Sequence, residues 1–290
     1  TNSLMKDVGG NIRYYGASPN NYIYFNCSDY SNQSSSTCET WRIIGTFGNK
    51  TKLIRNSSIG EYSWDNKDTS TGAKSAYGKN DWTDARLMKL LNQGYESETT
   101  GGSLYYNSGS GNCYSGQNNA TTACDFTSTG IKNDTTRNMI SDNTYSLLGW
   151  NNNSIYSNQI YEYERSTGSV YTGTPTSWTG KVGLAYVSDY GYAADLSKCT
   201  KQLGSYNDST CASNNWMKAI ITNNSTNASG WLLTHYYGDS CDTWRTYWAG
   251  NAGYSGAYYA FEVTPVLYLK YRISINSGTG TSSDPYQIST

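Results

Sequence analysis

Six of the seven cysteines fall in pairs that bound short polar loops: Cys27 and Cys38 around "SDYSNQSSST", Cys113 and Cys124 around "YSGQNNATTA", Cys199 and Cys211 around "TKQLGSYNDST". Thiols serve as metal ligands, redox couples or covalent cross-links, and spacing separates the three. Structural zinc sites use pairs two to four residues apart, usually with histidine. Thioredoxin-type couples need C-x-x-C. Neither spacing occurs here, and His235 is the one histidine. Cross-links remain, each closing a loop of about a dozen residues and stabilising by about 3 kcal/mol on chain-entropy grounds. Disulfides belong to oxidising compartments or the cell exterior. Cys241 is left over, for a buried thiol or a bond outside this chain.

Catalytic constellations are harder to assemble. A Ser or Cys nucleophile needs a base, and His235 follows an apolar strand, the setting of a packed histidine. Paired carboxylates for glycoside hydrolysis have candidates in Glu162, Glu164, Asp189, Asp195, Asp239 and Asp242. Their spacing selects no pair, and Glu162 and Glu164 would face different sides of a helix. No EF-hand loop for calcium is present; Asp239 and Asp242 could supply oxygen ligands, with a solvated loop as the plainer reading. No cofactor is expected.

The stretch "YYGDSCDTWRTYWAGNAGYSGAYY" (236–259) carries chemistry of another kind. Tyr, Trp and Arg dominate recognition hot spots because they bury large rigid area and still hydrogen-bond. Trp231, Asp239, Asp242, Trp244, Arg245, Tyr247, Trp248 and Tyr254 are therefore the candidate binding residues. The alternative for each aromatic is a place in a core short of Leu and Phe.

The elements that must position these residues read as a mixture. Strand-like alternation marks 21–26, 40–47 and 52–60, separated by Gly and Asn turns as in an antiparallel meander. Helical spacing predicts helices over about 83–93, 134–142, 154–165 and 188–195, with Asp81 or Thr83, Asn133 and Ser188 as caps. "GWLLTHYY" (230–237) reads as a core strand, 238–260 as a long loop or twisted hairpin, and "FEVTPVLYLK" (261–270) as one long strand. This makes an α+β chain with core strands at about 21–60 and 230–270. No Pro-rich or Gly/Ser-rich linker divides its 290 residues, so a single domain is expected.

Bulk composition narrows the partners. Charged residues are only 15%, the net charge is -1, and the basic residues are scattered, which leaves no stripe for a nucleic-acid backbone. The 14% aromatic content argues for packed structure over disorder. No apolar run approaches the roughly 20 residues of a membrane span. The chain opens at Thr1 with no signal peptide, as expected of a mature or excised fragment. The N-x-S/T triplets at Asn26, Asn49, Asn119, Asn133, Asn207 and Asn224 permit glycosylation.

Taken together, "NYIYFN", "TWRIIGTF", "WTDARLMKLLN", "YERSTGSVYTGTPTSWTGKVGLAYVSDYGYA", "PVLYLK" and "SGTGTSSDPYQI" resemble a large, mostly uncharacterised family of Gram-positive bacterial cell-surface proteins. The resemblance covers nearly the whole chain. It implies a C-type-lectin-like domain, the fold of the formylglycine-generating enzymes, with "VGLAYVSDYGYAA" as its strand followed at once by a helix. The family's late Gly-x-Arg-Pro strand reads "FEVTPVLYLK" here, with Glu262 and Thr264 near the usual Gly and Arg. Formylglycine-type oxidation needs a reactive cysteine pair, whereas these pairs bound local loops. The expectation is an extracellular adhesion or ligand-binding domain that is not an enzyme, holding a carbohydrate or protein ligand. Rival expectations are a subunit of an extracellular filament or pilus, formed by self-assembly, and an extracellular enzyme of another type.

Overall fold

The computed structural model describes residues 3–66, 77–98, 100–116 and 122–289. Two sheets carry the core. A seven-stranded sheet runs in the order Leu4–Lys6, Ile12–Tyr14, Glu39–Phe47, Lys50–Arg55, Val266–Tyr268, Val182–Gly183, with Tyr22–Phe25 also paired to Glu39–Phe47. A five-stranded sheet has the order Ala252–Gly256, Asp242–Thr246, Gly230–His235, Ala260–Glu262, Glu61–Ser63. Nearly all pairings are antiparallel; Gly230–His235 runs parallel to Ala260–Glu262. Short helices surround the sheets, so the α+β expectation holds at that level.

Both faces of each sheet are covered. Ile43, Leu53 and Leu267 belong to one apolar cluster, whereas Ile44, Ile54 and Val266 belong to another. Trp231 and Leu233 likewise enter the first, Leu232 and Trp244 the second. Burial on both faces explains why consecutive residues such as Ile43 and Ile44, Leu53 and Ile54, and Trp231 to Leu233 are all apolar, where the sequence pattern of 40–47 and 52–60 reads as alternation.

Four helices follow the sequence pattern, shortened at their ends, Arg86–Leu91, Asp134–Met139, Ser157–Glu162 and Val187–Tyr192, and two more lie at Ser209–Ser213 and Trp216–Ile221. A π-helical turn, Tyr163–Thr167, extends the third. Asn133 caps as expected, accepting from the Thr136 amide at 3.0 Å. Two other caps are corrected. Asp81 accepts from Thr83 in a local turn ahead of the Arg86–Leu91 helix, whose start has no side-chain cap. At the fourth helix Asp189, not Ser188, reaches back to the Tyr186 amide at 2.9 Å.

"FEVTPVLYLK" is not one strand. Ala260–Glu262 joins the five-stranded sheet and Val266–Tyr268 the seven-stranded one. Pro265 lies between them, and a residue without an N–H cannot donate to a ladder. The chain therefore changes sheets at that point.

All three expected disulfides are present, Cys27–Cys38, Cys113–Cys124 and Cys199–Cys211, while Cys241 stands outside them. Part of the second loop, with the Asn119 triplet, lies outside the described residues. Two triplets are built into the structure. Asn26 is fully buried, its amide holding Gly130 and Lys132, and Asn133 donates to the Cys27 carbonyl while capping its helix. No described helix is long and apolar enough to cross a membrane.

Candidate functional site

The carboxylates considered for catalysis separate by burial. Asp189 and Glu164 are enclosed and form the hubs of a buried polar network. Asp189 Oδ1 accepts from Arg13 Nη1 at 2.7 Å and its Oδ2 meets Lys52 Nζ at 2.5 Å, while Arg13 Nε meets Asp7 at 2.5 Å. Burial alone would raise the Asp189 carboxyl, but Lys52 and Arg13 outweigh it and hold the group well below the usual carboxylate range. Glu164 accepts from the Ser188 amide at 3.0 Å and Thr234 Oγ1 at 2.6 Å, and pairs with Arg165 at 2.7 Å. Asp195 sits at the surface in a turn with Ser197, and Glu162 closes its helix.

His235 is buried, and its Nε2 accepts from the Tyr171 amide at 2.9 Å. Burial depresses its pKa from 6.5 to about 4. Because the unfolded chain binds this proton more readily, the histidine's contribution is fully present above pH 6.5 and lost as pH falls toward 4. That contribution is on the order of 3 kcal/mol. Two raised carboxyls, Asp65 (to about 7) and Asp242 (to about 6), act with the opposite sign over overlapping ranges. The difference between wild type and His235→Gln isolates the histidine. The stability gap between the two is expected to change steadily between pH 6.5 and 4, read by urea unfolding at each pH; a gap that stays constant would refute the assignment.

The 242–256 segment is a regular antiparallel hairpin whose register pairs Trp244 with Tyr254 and Arg245 with Gly253. Alternation sends the candidate residues to opposite faces. On one face Trp244 is fully buried, its Nε1 donating to the Trp150 carbonyl at 3.0 Å. Trp231 is also buried, its Nε1 donating to Tyr62 O at 2.9 Å. Both tryptophans are core residues and present no ligand-facing surface.

Two half-exposed clusters remain. In the first, Tyr254 stacks on Tyr236 with centroids 4.0 Å apart, beside the loop that holds Asp239, Cys241 and Asp242. Asp239 Oδ1 caps that loop by accepting from the amides of Cys241 (2.8 Å) and Asp242 (2.6 Å). Donor atoms of these three residues lie within 4.8 Å of one another. Burial, and then the neighbouring Asp239 charge, push Asp242 up to about 6.

The second cluster lies on the opposite face of the hairpin and is the more extended. The Arg245 guanidinium lies 3.5 Å from the centre of the Tyr247 ring and 4.6 Å from that of Phe261. Phe261 is followed by Tyr259 at 5.8 Å, Tyr258 at a further 4.2 Å and Tyr77 at 5.3 Å. Phe261, Tyr259 and Tyr258 stack at interplanar angles of 20° and 30°, and Tyr77 is tilted by 37° against Tyr258. Tyr259 and Tyr77 are exposed, and Trp231 backs Phe261 from below at 4.6 Å. Gly253 lets Tyr247 lie across the neighbouring strand, because a Cβ there would come within 2.6 Å of that ring. Trp248 stands apart at the hairpin tip, half exposed.

Of the expected binding residues, Arg245 and Tyr247 enter this strip, whereas Tyr254, Asp239 and Asp242 belong to the other cluster. Tyr259 and Phe261 complete the strip; Tyr259 falls in the run read as a long loop or twisted hairpin, and Phe261 in the run read as a strand. Their i, i+2 spacing in "YYAFE", immediately after the hairpin, is the signal that puts both on one face. Compared with family models, curated proteins and solved structures, the chain matches none of them.

Proposed function

We propose that this chain is an extracellular, surface-displayed recognition domain that binds a carbohydrate at the strip formed by Tyr247, Arg245, Phe261 and Tyr259, and that it works by binding and not by catalysis. The observation that carries this reading is the strip itself. Nearly parallel, partly exposed rings run beside a cation on a sheet face, where a monomeric soluble surface rarely leaves connected apolar groups without use. The three disulfides support an oxidising setting. A lectin-like arrangement is favoured by a short strand, Val182–Gly183, leading almost directly into the helix Val187–Tyr192, with Gly230–His235 as a late core strand. The strip then falls between the last strands, where lectin-like folds hold their ligands.

The expected result is that Tyr259→Ala and Phe261→Ala each weaken glycan binding about tenfold or more, the cost of truncating a recognition hot spot. Tyr259 is exposed, so Tyr259→Ala should leave the melting temperature nearly unchanged. A glycan array followed by titration of the hits measures both. Binding unaffected by either substitution would remove the strip from consideration.

A further inference from the structure

Among the described residues the strip contains a charge that its surroundings do not balance. Arg13, Arg55, Arg86, Arg137 and Arg165 each meet a carboxylate at between 2.5 and 3.1 Å, whereas the buried Arg42 is held by the Asn21 side chain and the exposed Arg272 by the Gly48 carbonyl. Arg245 makes no ion pair among the described residues, and the ionisable groups acting on it are the phenols of Tyr247 and Tyr259. It is half-buried between two rings, and loss of hydration there lowers its pKa. A guanidinium held in this way, short of both water and a counter-charge, gains from an incoming anion more than a fully solvated one does.

Its orientation is fixed as well. Nε donates to Ser255 Oγ at 2.8 Å and Nη1 to Ser229 Oγ. These two serines, on the neighbouring strand and at the approach to the core strand, hold the guanidinium plane between Tyr247 and Phe261. The group has five N–H donors, so donors remain for a ligand after the serines are served. The planar fork favours a carboxylate or another flat pair of oxygens. Phe261 and Tyr259 meanwhile offer apolar ring surface next to it.

We propose that the strip selects an acidic glycan, a pyranose whose ring lies on Phe261 and Tyr259 and whose carboxylate pairs with Arg245. This rests on the carbohydrate-binding reading and adds the charge of the sugar to it. The test uses matched pairs that differ only in charge: oligogalacturonide against its methyl ester, and 3′-sialyllactose against lactose. Titration should show the acidic member of at least one pair bound about tenfold or more tightly, the worth of a charge-assisted hydrogen-bonded pair. Arg245→Gln should erase that preference, Arg245→Lys should retain part of it, and Tyr259→Ala should weaken both members alike. Equal affinity for both members of each pair, still reduced by Tyr259→Ala, overturns the charge selection and leaves the strip as a sugar site. Binding of none of the four overturns the acidic-glycan proposal, and a glycan array without hits overturns the carbohydrate reading beneath it. Tighter binding of polyglutamate than of any acidic glycan also overturns the proposal, because the anion would then be recognised without the sugar ring.

Discussion

Asp189→Asn is expected to cost about 3–5 kcal/mol, the range for breaking a buried ion pair from one side. The mechanism lies in what is left behind. Lys52 and Arg13 are both fully enclosed, and each points a cation at the same carboxylate. The neutral amide leaves Lys52 without a counter-charge and Arg13 with Asp7 alone. Three aromatic rings, Phe47, Tyr186 and Tyr268, surround the Lys52 ammonium at 4.8 to 5.2 Å and can repay only part of this. Urea unfolding should show a lower midpoint at an unchanged slope, and a loss below about 1 kcal/mol would show the network to be dispensable. The same geometry sets a pH dependence. Because the folded pKa of Asp189 is depressed, its contribution is fully present above the unfolded value near 3.9 and drains away as pH falls below it.

The second large effect comes from the disulfides. Each closes a loop with a sequence separation of 11 or 12 residues. On the chain-entropy estimate each limits the unfolded chain by about 3 kcal/mol, so the three together are worth about 9 kcal/mol. Domains of this size are typically stable by only about 5–15 kcal/mol. Replacing all six cysteines by alanine should therefore leave the chain unfolded or barely folded at 37 °C, while any single pair can be removed with a cooperative transition preserved. Circular dichroism melts of the single, double and triple pair variants measure this. A triple variant that melts within a few degrees of wild type would mean that the staples stabilise far less than loop closure predicts.

How much of this was readable from residues alone follows from which interactions are local. The cysteine pairs close over short spans, so spacing and loop composition were enough to find all three bonds. The amphipathic helices and the strands Tyr22–Phe25, Glu39–Phe47 and Lys50–Arg55 showed themselves by periodicity, as with Arg86–Leu91, whose Leu87, Met88, Leu90 and Leu91 are all buried. The Asp189 hub was not legible, because its partners Arg13 and Lys52 are 176 and 137 residues away in sequence. Trp231 and Trp244 were misleading for a related reason: a tryptophan's type does not say whether its strand faces inward, and only the packing of the folded sheets, which buries both, settles it. The strip suffered the same limit from the other side. Phe261 read as the start of one long strand, yet that run divides between the two sheets and the ring is half-exposed at the sheet face.

That break also bears on how the molecule comes apart. Within a few residues the chain is hydrogen-bonded first into one sheet and then into the other, with Phe261 paired to Tyr62 and Val266 to Ile54. Tyr62 and Ile54 are themselves close neighbours along the chain, so the two sheets share a second crossing beside the first. Peeling the five-stranded sheet away would strain both crossings and expose the seven-stranded sheet's apolar faces. The amides of Gly230–His235 and Lys50–Arg55 should then exchange with solvent through one shared opening event, as a single cooperative unit and not two.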